Sequence, residues 1–248
     1  MILLFLAALS GASAQSVTAR DGNAVLTLTK GAVTLRSAGR VIWSASTFFE
    51  GGDARAALLT PNLALVAGNV GDWNNERGLL LVRDRQTSRE VWRANVPGLP
   101  TTLGVLGRTL YASYCYNGAY SACSTRGFDL RMGRQFWEAN GNFVARSDRL
   151  GLVNLITHIA GYDPRYPVFT RVNGETGKAQ ELTFIVPQRK NCNLVRYPLN
   201  ERGDEFIPAL DVTSRYIYAI RHDDCGPFVA RFDWHGSADQ KPPVYPKP

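Results

Sequence analysis

A five-residue phrase recurs along this chain. Gly39-Arg40-Val41-Ile42-Trp43 returns as Ser88-Arg89-Glu90-Val91-Trp92, then as Gly133-Arg134-Gln135-Phe136-Trp137. The tryptophans stand 49 and 45 residues apart. In the last two copies an acid, Asp84 or Asp129, stands eight residues before the Trp. A period of about 45 residues marks the blades of a propeller, four strands to each, because one such unit cannot bury both of its faces alone.

Aligned on the phrase, the chain divides into units with strands a, b, c and d in the same order. Tight turns join a to b and c to d, and strand d ends in the Trp. Unit 2 reads Ala56-Ala57-Leu58-Leu59, a Thr60-Pro61-Asn62 turn, Leu63-Ala64-Leu65-Val66-Ala67, a loop, and Leu79-Leu80-Leu81-Val82. Alternating and short apolar runs between turn residues indicate strands throughout. The fold class expected is all-β, a five-bladed β-propeller of four-stranded antiparallel blades. The blades fall at about residues 15–50, 51–98, 99–140, 141–203 and 204–248 of one domain. Unit 4 keeps the Gly177-Lys178 pair but loses the Trp, with Leu182 near its place. The end of the chain is rich in proline (Pro242, Pro243, Pro246, Pro248), so either unit 5 lacks a regular d strand or the ring closes in an unusual way.

The first residues, MILLFLAALSGASAQ, form an apolar run followed by Ala12-Ser13-Ala14. This resembles a signal peptide with an A-x-A cleavage site, and is too short to span a bilayer. The expectation is export to the periplasm, cell envelope or exterior, with residues 1–14 removed and no integral membrane segment in the mature chain. The net charge of +7 comes from 23 Arg and 5 Lys that are scattered along the chain. Nucleic-acid binding calls for a clustered basic patch, so no nucleic-acid partner is expected. Four cysteines in an exported chain favour disulfides. Cys115 and Cys123 flank a hairpin that a bridge closes easily, which leaves Cys192 for Cys225. The spacings match no zinc pattern, and no metal is expected.

Asp84-Arg85-Gln86-Thr87-Ser88-Arg89-Glu90-Val91-Trp92 resembles the repeat of the PQQ-like (quinoprotein dehydrogenase-like) β-propellers. That repeat has an Asp, a Thr-Gly turn and a closing Trp. Asn173-Gly174-Glu175-Thr176-Gly177-Lys178 is similar to the same element. The resemblance implies the propeller fold. The group includes quinone-dependent dehydrogenases and non-enzymatic envelope scaffolds. The dehydrogenases have about eight blades and an adjacent Cys-Cys pair at the cofactor. This chain has no adjacent cysteines, so no cofactor is expected.

The tight a–b and c–d turns make one plain face, and the repeated phrase belongs to it as scaffold. The long segments are b–c or d–a loops on the opposite face, where binding on a rigid scaffold usually lives. The candidate binding residues there are Asp72, Trp73, Asn74, Tyr116, Tyr120, His158, Tyr162, Asp163, Arg165, His222, Asp223 and Asp224. Aromatic rings beside amide, carboxylate and guanidinium groups suit protein interfaces and sugars. No catalytic residues are expected: there is no nucleophile signature, phosphate loop or His-x-x-x-His pair. The function expected is a non-catalytic binding or scaffold propeller that engages an envelope protein or glycan through the b–c and d–a loops. The alternative is a secreted carbohydrate-active hydrolase with paired acids in the central funnel, for which Asp72, Asp163 and Asp223 are candidates.

Overall fold

The structure is a computed structural model. It describes residues 16–29, 31–47, 54–70, 77–116, 122–147, 152–156, 168–183, 190–193, 209–212 and 216–233. Blade 1 is β1 (Val17–Asp21), β2 (Ala24–Leu28), β3 (Ala32–Ser37) and β4 (Arg40–Ser46). Blade 2 is β5 (Ala54–Leu59), β6 (Leu63–Asn69), β7 (Arg77–Asp84) and β8 (Glu90–Pro97). Blade 3 is β9 (Leu99–Leu106), β10 (Thr109–Tyr116), β11 (Ala122–Asp129) and β12 (Gln135–Asn140). Blade 4 is β13 (Asn142–Ser147), β14 (Leu152–Ile156), β15 (Val168–Asn173) and β16 (Ala179–Thr183). The fifth sheet has three strands among the described residues, β17 (Ala209–Val212), β18 (Tyr216–Asp223) and β19 (Gly226–Asp233). Every neighbouring pair in these sheets is antiparallel. The a strands lie side by side: β1 packs on β5, β5 on β9, and β13 on β9 and β17.

The binary pattern decides which faces are covered. In β2 and β3 apolar residues alternate, so Ala24, Leu26, Leu28, Val33 and Leu35 are buried on one face only. The unbroken apolar runs of β6 and β7 are buried on both faces, as a sheet between two others requires. Ala64, Val66, Leu79 and Leu81 join the core against blade 1, while Leu65, Ala67, Leu80 and Val82 join the core against blade 3. A third core lies between blades 3 and 4, built from Leu106, Tyr111, Trp137, Ala139 and Val172.

One tryptophan sits in each of these cores, and its ring nitrogen locks onto the next blade. Trp43 Nε1 donates to the Arg85 carbonyl at 2.7 Å, Trp92 Nε1 to Leu130 at 3.0 Å, and Trp137 Nε1 to Gly174 at 3.0 Å. The accepting residue always follows the Asp or Asn that opens the c–d turn. That side chain is the turn's organiser. Asp84 Oδ1 accepts from the N–H groups of Gln86 and Thr87, Asp129 Oδ1 from those of Arg131 and Met132, and Asn173 Oδ1 from those of Glu175 and Thr176. A short side-chain acceptor bonded to N–H groups two and three residues ahead fixes this turn. The residue before the basic one takes a left-handed backbone: Ser88 at φ 61°, Gly133 at φ 70° and Gly177 at φ 71°. At Gly133 the lack of a Cβ also matters for packing, because a Cβ there would stand 2.6 Å from the Trp92 ring.

Each Trp is preceded by a β-bulge. Leu35 faces Trp43 but Arg36 faces Val41, so Ile42 has no opposite residue. Val91 and Phe136 are extra in the same way, since Val82 faces Trp92 and Gly127 faces Trp137 while Arg83 faces Glu90 and Phe128 faces Gln135. Blade 4 has no slip in β15–β16, and the Trp place, three residues after Lys178, holds the exposed Glu181. The bulge and the indole therefore occur together.

Asp129 gives the blade 3 turn a pH dependence. The Arg108 guanidinium, 2.7 Å away, and then the Met132 and Arg131 N–H groups hold its carboxyl at about 2, below the ordinary 3.8. A depressed folded-state value adds stability that is present above the ordinary pKa and is lost as pH falls from about 4 towards 2. Asp129→Asn keeps the turn acceptor, as Asn173 does naturally, and loses the Arg108 pair. Its melting temperature is expected to fall less steeply than that of the unaltered chain between pH ~4 and pH ~2. Parallel acid profiles in a thermal-melt series would contradict this role.

Candidate functional site

The a–b and c–d turns meet at one end of the strands. Ala38 N–H donates to the Asn23 carbonyl at 3.2 Å, Arg85 to Asn62 at 2.9 Å and Leu130 to Arg108 at 2.9 Å, joining the two turns in each of blades 1 to 3. Arg85 also donates to the Asp21 carboxylate of blade 1 and, at 2.7 Å, to the Thr60 carbonyl. Antiparallel connectivity sends the b–c and d–a connections to the other end. The segment 71–76, with Asp72, Trp73 and Asn74, joins β6 to β7. The segment 117–121, with Tyr120, joins β10 to β11, and 157–167, with His158, Tyr162, Asp163 and Arg165, joins β14 to β15. These eight residues lie outside the described residues.

The base of this face is best defined in blade 3. Cys115 and Cys123 are bonded, lie directly opposite in β10 and β11, and have Cα atoms 4.1 Å apart. Tyr116 belongs to β10, paired with Ala122, so the ladder continues one pair beyond the bridge. Two d–a connections close on the bridge from either side. Gly98 alone separates β8 from β9, at φ 93°, and a Cβ on it would stand 2.6 Å from the Cys115 carbonyl. Gly141 alone separates β12 from β13, and its N–H donates to the Cys123 carbonyl at 2.7 Å. Two of the d–a connections on the elaborate face are thus as short as any turn on the plain face. The Pro97-Gly98 and Asn140-Gly141 dipeptides are the turn signals that mark them in the sequence.

The second bridge joins Cys192 to Cys225, with Cα atoms 5.7 Å apart. It ties the segment 190–193, between β16 and β17, to the β18–β19 hairpin. Three hydrogen bonds reinforce it: Asn193 N–H to Asp224 Oδ1 at 2.8 Å, Asn193 Nδ2 to Asp224 Oδ2 at 3.0 Å, and Asp224 N–H to the Asn193 carbonyl at 3.0 Å. Asn193 was not among the residues singled out from the sequence. The run from Arg221 to Cys225, read from sequence as a loop, is instead mostly strand. Arg221 faces Phe228, His222 faces Pro227 and Asp223 faces Gly226, around a turn of Asp224 and Cys225. The buried Asp223 closes that turn by accepting the Cys225 N–H at 2.9 Å, and Gly226 supplies φ 109°. The structure thus brings Asp223, Asp224, Cys192 and Cys225 together, with ligand atoms within 4.8 Å of one another. Because the two sulfurs are bonded to each other, they are not thiolates that could hold zinc. Among the described residues, no helix is long and apolar enough to cross a membrane.

Solved structures match this architecture. No protein-family model and no curated protein sequence matches the chain. A europium-containing methanol dehydrogenase superposes with a TM-score of 0.55 at 12% identity, covering 94% of this chain and 56% of that one. The quinohemoprotein alcohol dehydrogenase ADHIIG from Pseudomonas putida HK5 gives a TM-score of 0.51 at 12% identity, covering 86% of this chain and 39% of that one. BamB from Moraxella catarrhalis gives 0.41 at 17% identity, covering 88% and 71%. The chain spans about half the length of the first of these and less of the second. The fold is that of the PQQ-like β-propellers. The four cysteines are bonded in pairs 8 and 33 residues apart.

Proposed function

We propose that this chain is an exported, non-catalytic binding propeller. It takes an envelope protein or glycan on its b–c and d–a face. The observation that supports this best is where the disulfides stand. Both lie at the end of the strands from which the b–c and d–a connections leave. Fixing the base of loops lowers the ordering cost that a partner must otherwise meet on binding. Trp73, Tyr120 and Tyr162 supply the large planar contacts, and Asp72, Asn74, Asp163 and Arg165 the hydrogen bonds around them.

Trp73→Ala, Tyr120→Ala and Tyr162→Ala, each in a chain of unchanged melting temperature, are expected to weaken capture of the envelope partner by about tenfold or more each. Capture is read by pull-down from envelope extract, then by titration with the purified partner. Undiminished capture by all three variants would sink the proposal.

A further inference from the structure

The exposed large apolar side chains among the described residues are not scattered. They are Val41, Ile42, Val91, Met132 and Phe136, 40 to 66% exposed, and all five lie in a c–d turn or in the first residues of a d strand. Ile42, Val91 and Phe136 are the extra residues of the three bulges. A bulge re-aims a side chain away from the sheet. Here it sends one residue outward while its neighbour, the Trp, turns into the core. The exposed apolar group therefore recurs with the blade, always beside the lock.

A cation recurs in phase with it. Arg40, Arg89 and Arg134 stand two residues before Ile42, Val91 and Phe136, and Lys178 holds the same place in blade 4; all four are exposed. None of the four makes an ion pair among the described residues. The acids nearby are largely engaged: Asp21 with Arg85, Glu90 with Arg93 and Asp129 with Arg108, while Asp84 closes its own turn. Glu175 and Glu181 are the exposed exceptions, both in blade 4.

We propose that the turn face docks on an anionic phospholipid surface. Ile42, Val91 and Phe136 enter the headgroup region, and Arg40, Arg89 and Arg134 lie against lipid phosphates. Alternating apolar and cationic groups on one rim are what an anionic interface rewards, because it offers both a hydrocarbon boundary and negative charge. A bare polyanion would use the arginines and leave the apolar groups in water. A second copy of the same face would bring the unpaired cations against one another. The repeat would then have two uses, with the indole holding the blades together and the two residues flanking the bulge facing the lipid. The loop face would point away from the membrane, free for its partner. The inference stands without the proposed loop-face function, because no loop residue enters it.

The test is co-sedimentation with vesicles of phosphatidylcholine alone, and with vesicles in which about a third of the lipid is phosphatidylglycerol. Binding is expected only to the anionic vesicles and is expected to weaken as salt rises. Arg40→Gln, Arg89→Gln and Arg134→Gln combined should lower partitioning by about a hundredfold. Ile42→Ser with Phe136→Ser should lower it by about tenfold or more. Circular dichroism melts confirm that each variant is folded. Equal binding to both vesicle types, or arginine loss without effect, overturns the proposal. So does arginine dependence with no effect of the serine pair, which would assign the rim to polyanions. Self-association abolished by Phe136→Ser, without vesicle binding, would assign it to a second copy and overturn the proposal as well.

Discussion

Trp92→Ala is expected to destabilise the chain by about 3–5 kcal/mol, the range for removing a buried large aromatic side chain. Trp92 is 8% exposed and belongs to the core between blades 2 and 3. Its ring stacks on Phe128 of blade 3 with centroids 6.0 Å apart, and Gly133 of the same blade lies so close that a Cβ on it would stand 2.6 Å from the indole. The alanine variant would open a cavity at a sheet-to-sheet contact and leave the Leu130 carbonyl without the indole N–H now 3.0 Å away. Both effects add, since the loss of burial and the loss of a hydrogen bond act on different groups. Glu181→Ala is the matched control at the same place in blade 4. It removes an exposed side chain and should stay within ~0.5 kcal/mol. Urea denaturation of the two variants measures the difference. A Trp92→Ala loss below ~1 kcal/mol would mean that the indole does not hold the blades together.

Removing the second bridge, with Cys192→Ala and Cys225→Ala together, is expected to cost about 3–4 kcal/mol. It closes a separation of 33 residues, and the stabilisation from restricting the unfolded chain grows slowly with that length. The first bridge closes a separation of 8, so the Cys115→Ala and Cys123→Ala pair should cost less, about 2–3 kcal/mol. The two variants also differ in where the damage falls. Around the first bridge, the Cys115 and Cys123 backbones remain in a β10–β11 ladder that runs on to Tyr116 and Ala122. Around the second, the segment 190–193 is held to the hairpin by hydrogen bonds to Asp224. Hydrogen exchange should therefore quicken at Asn193 and Asp224 in the second variant, and much less at residues 113–116 in the first. An equal loss in both, or none in the second, would contradict the stapling role.

The propeller is legible because blades 1 to 3 each carry a large aromatic group at one fixed place. An indole must reach the carbonyl after the Asp or Asn that opens the next blade's turn, so Trp43, Trp92 and Trp137 recur in phase with Asp84, Asp129 and Asn173. The two-faced burial of blade 2 was also readable, since Leu79-Leu80-Leu81-Val82 is continuous where Ala24 to Leu28 alternates. The bulges were not readable. Inserting Ile42, Val91 or Phe136 changes no composition, and only the pairing reveals that each is one residue too many. As a result the phrase reads in the sequence as scaffold alone. The β18–β19 turn is not readable for another reason. Arg221-His222-Asp223-Asp224-Cys225 is polar like a loop, yet Asp223 and Gly226 make a tight turn that lets the strand run on to Asp223. Of the loop-face candidates, Asp223 has a structural task in that turn and Asp224 one in holding Asn193, which leaves the aromatic segments as the stronger candidates for contact.

The claim that partner binding belongs to the loop face is tested most directly by a hydrogen-exchange footprint of the chain with and without its captured envelope partner. Protection is expected at residues 71–76, 117–121 and 157–167 and around the Cys192–Cys225 staple, with the turns at Gly39-Arg40, Ser88-Arg89 and Gly133-Arg134 unchanged. Protection of those turns by the partner, with the three loop segments exchanging as before, would contradict it.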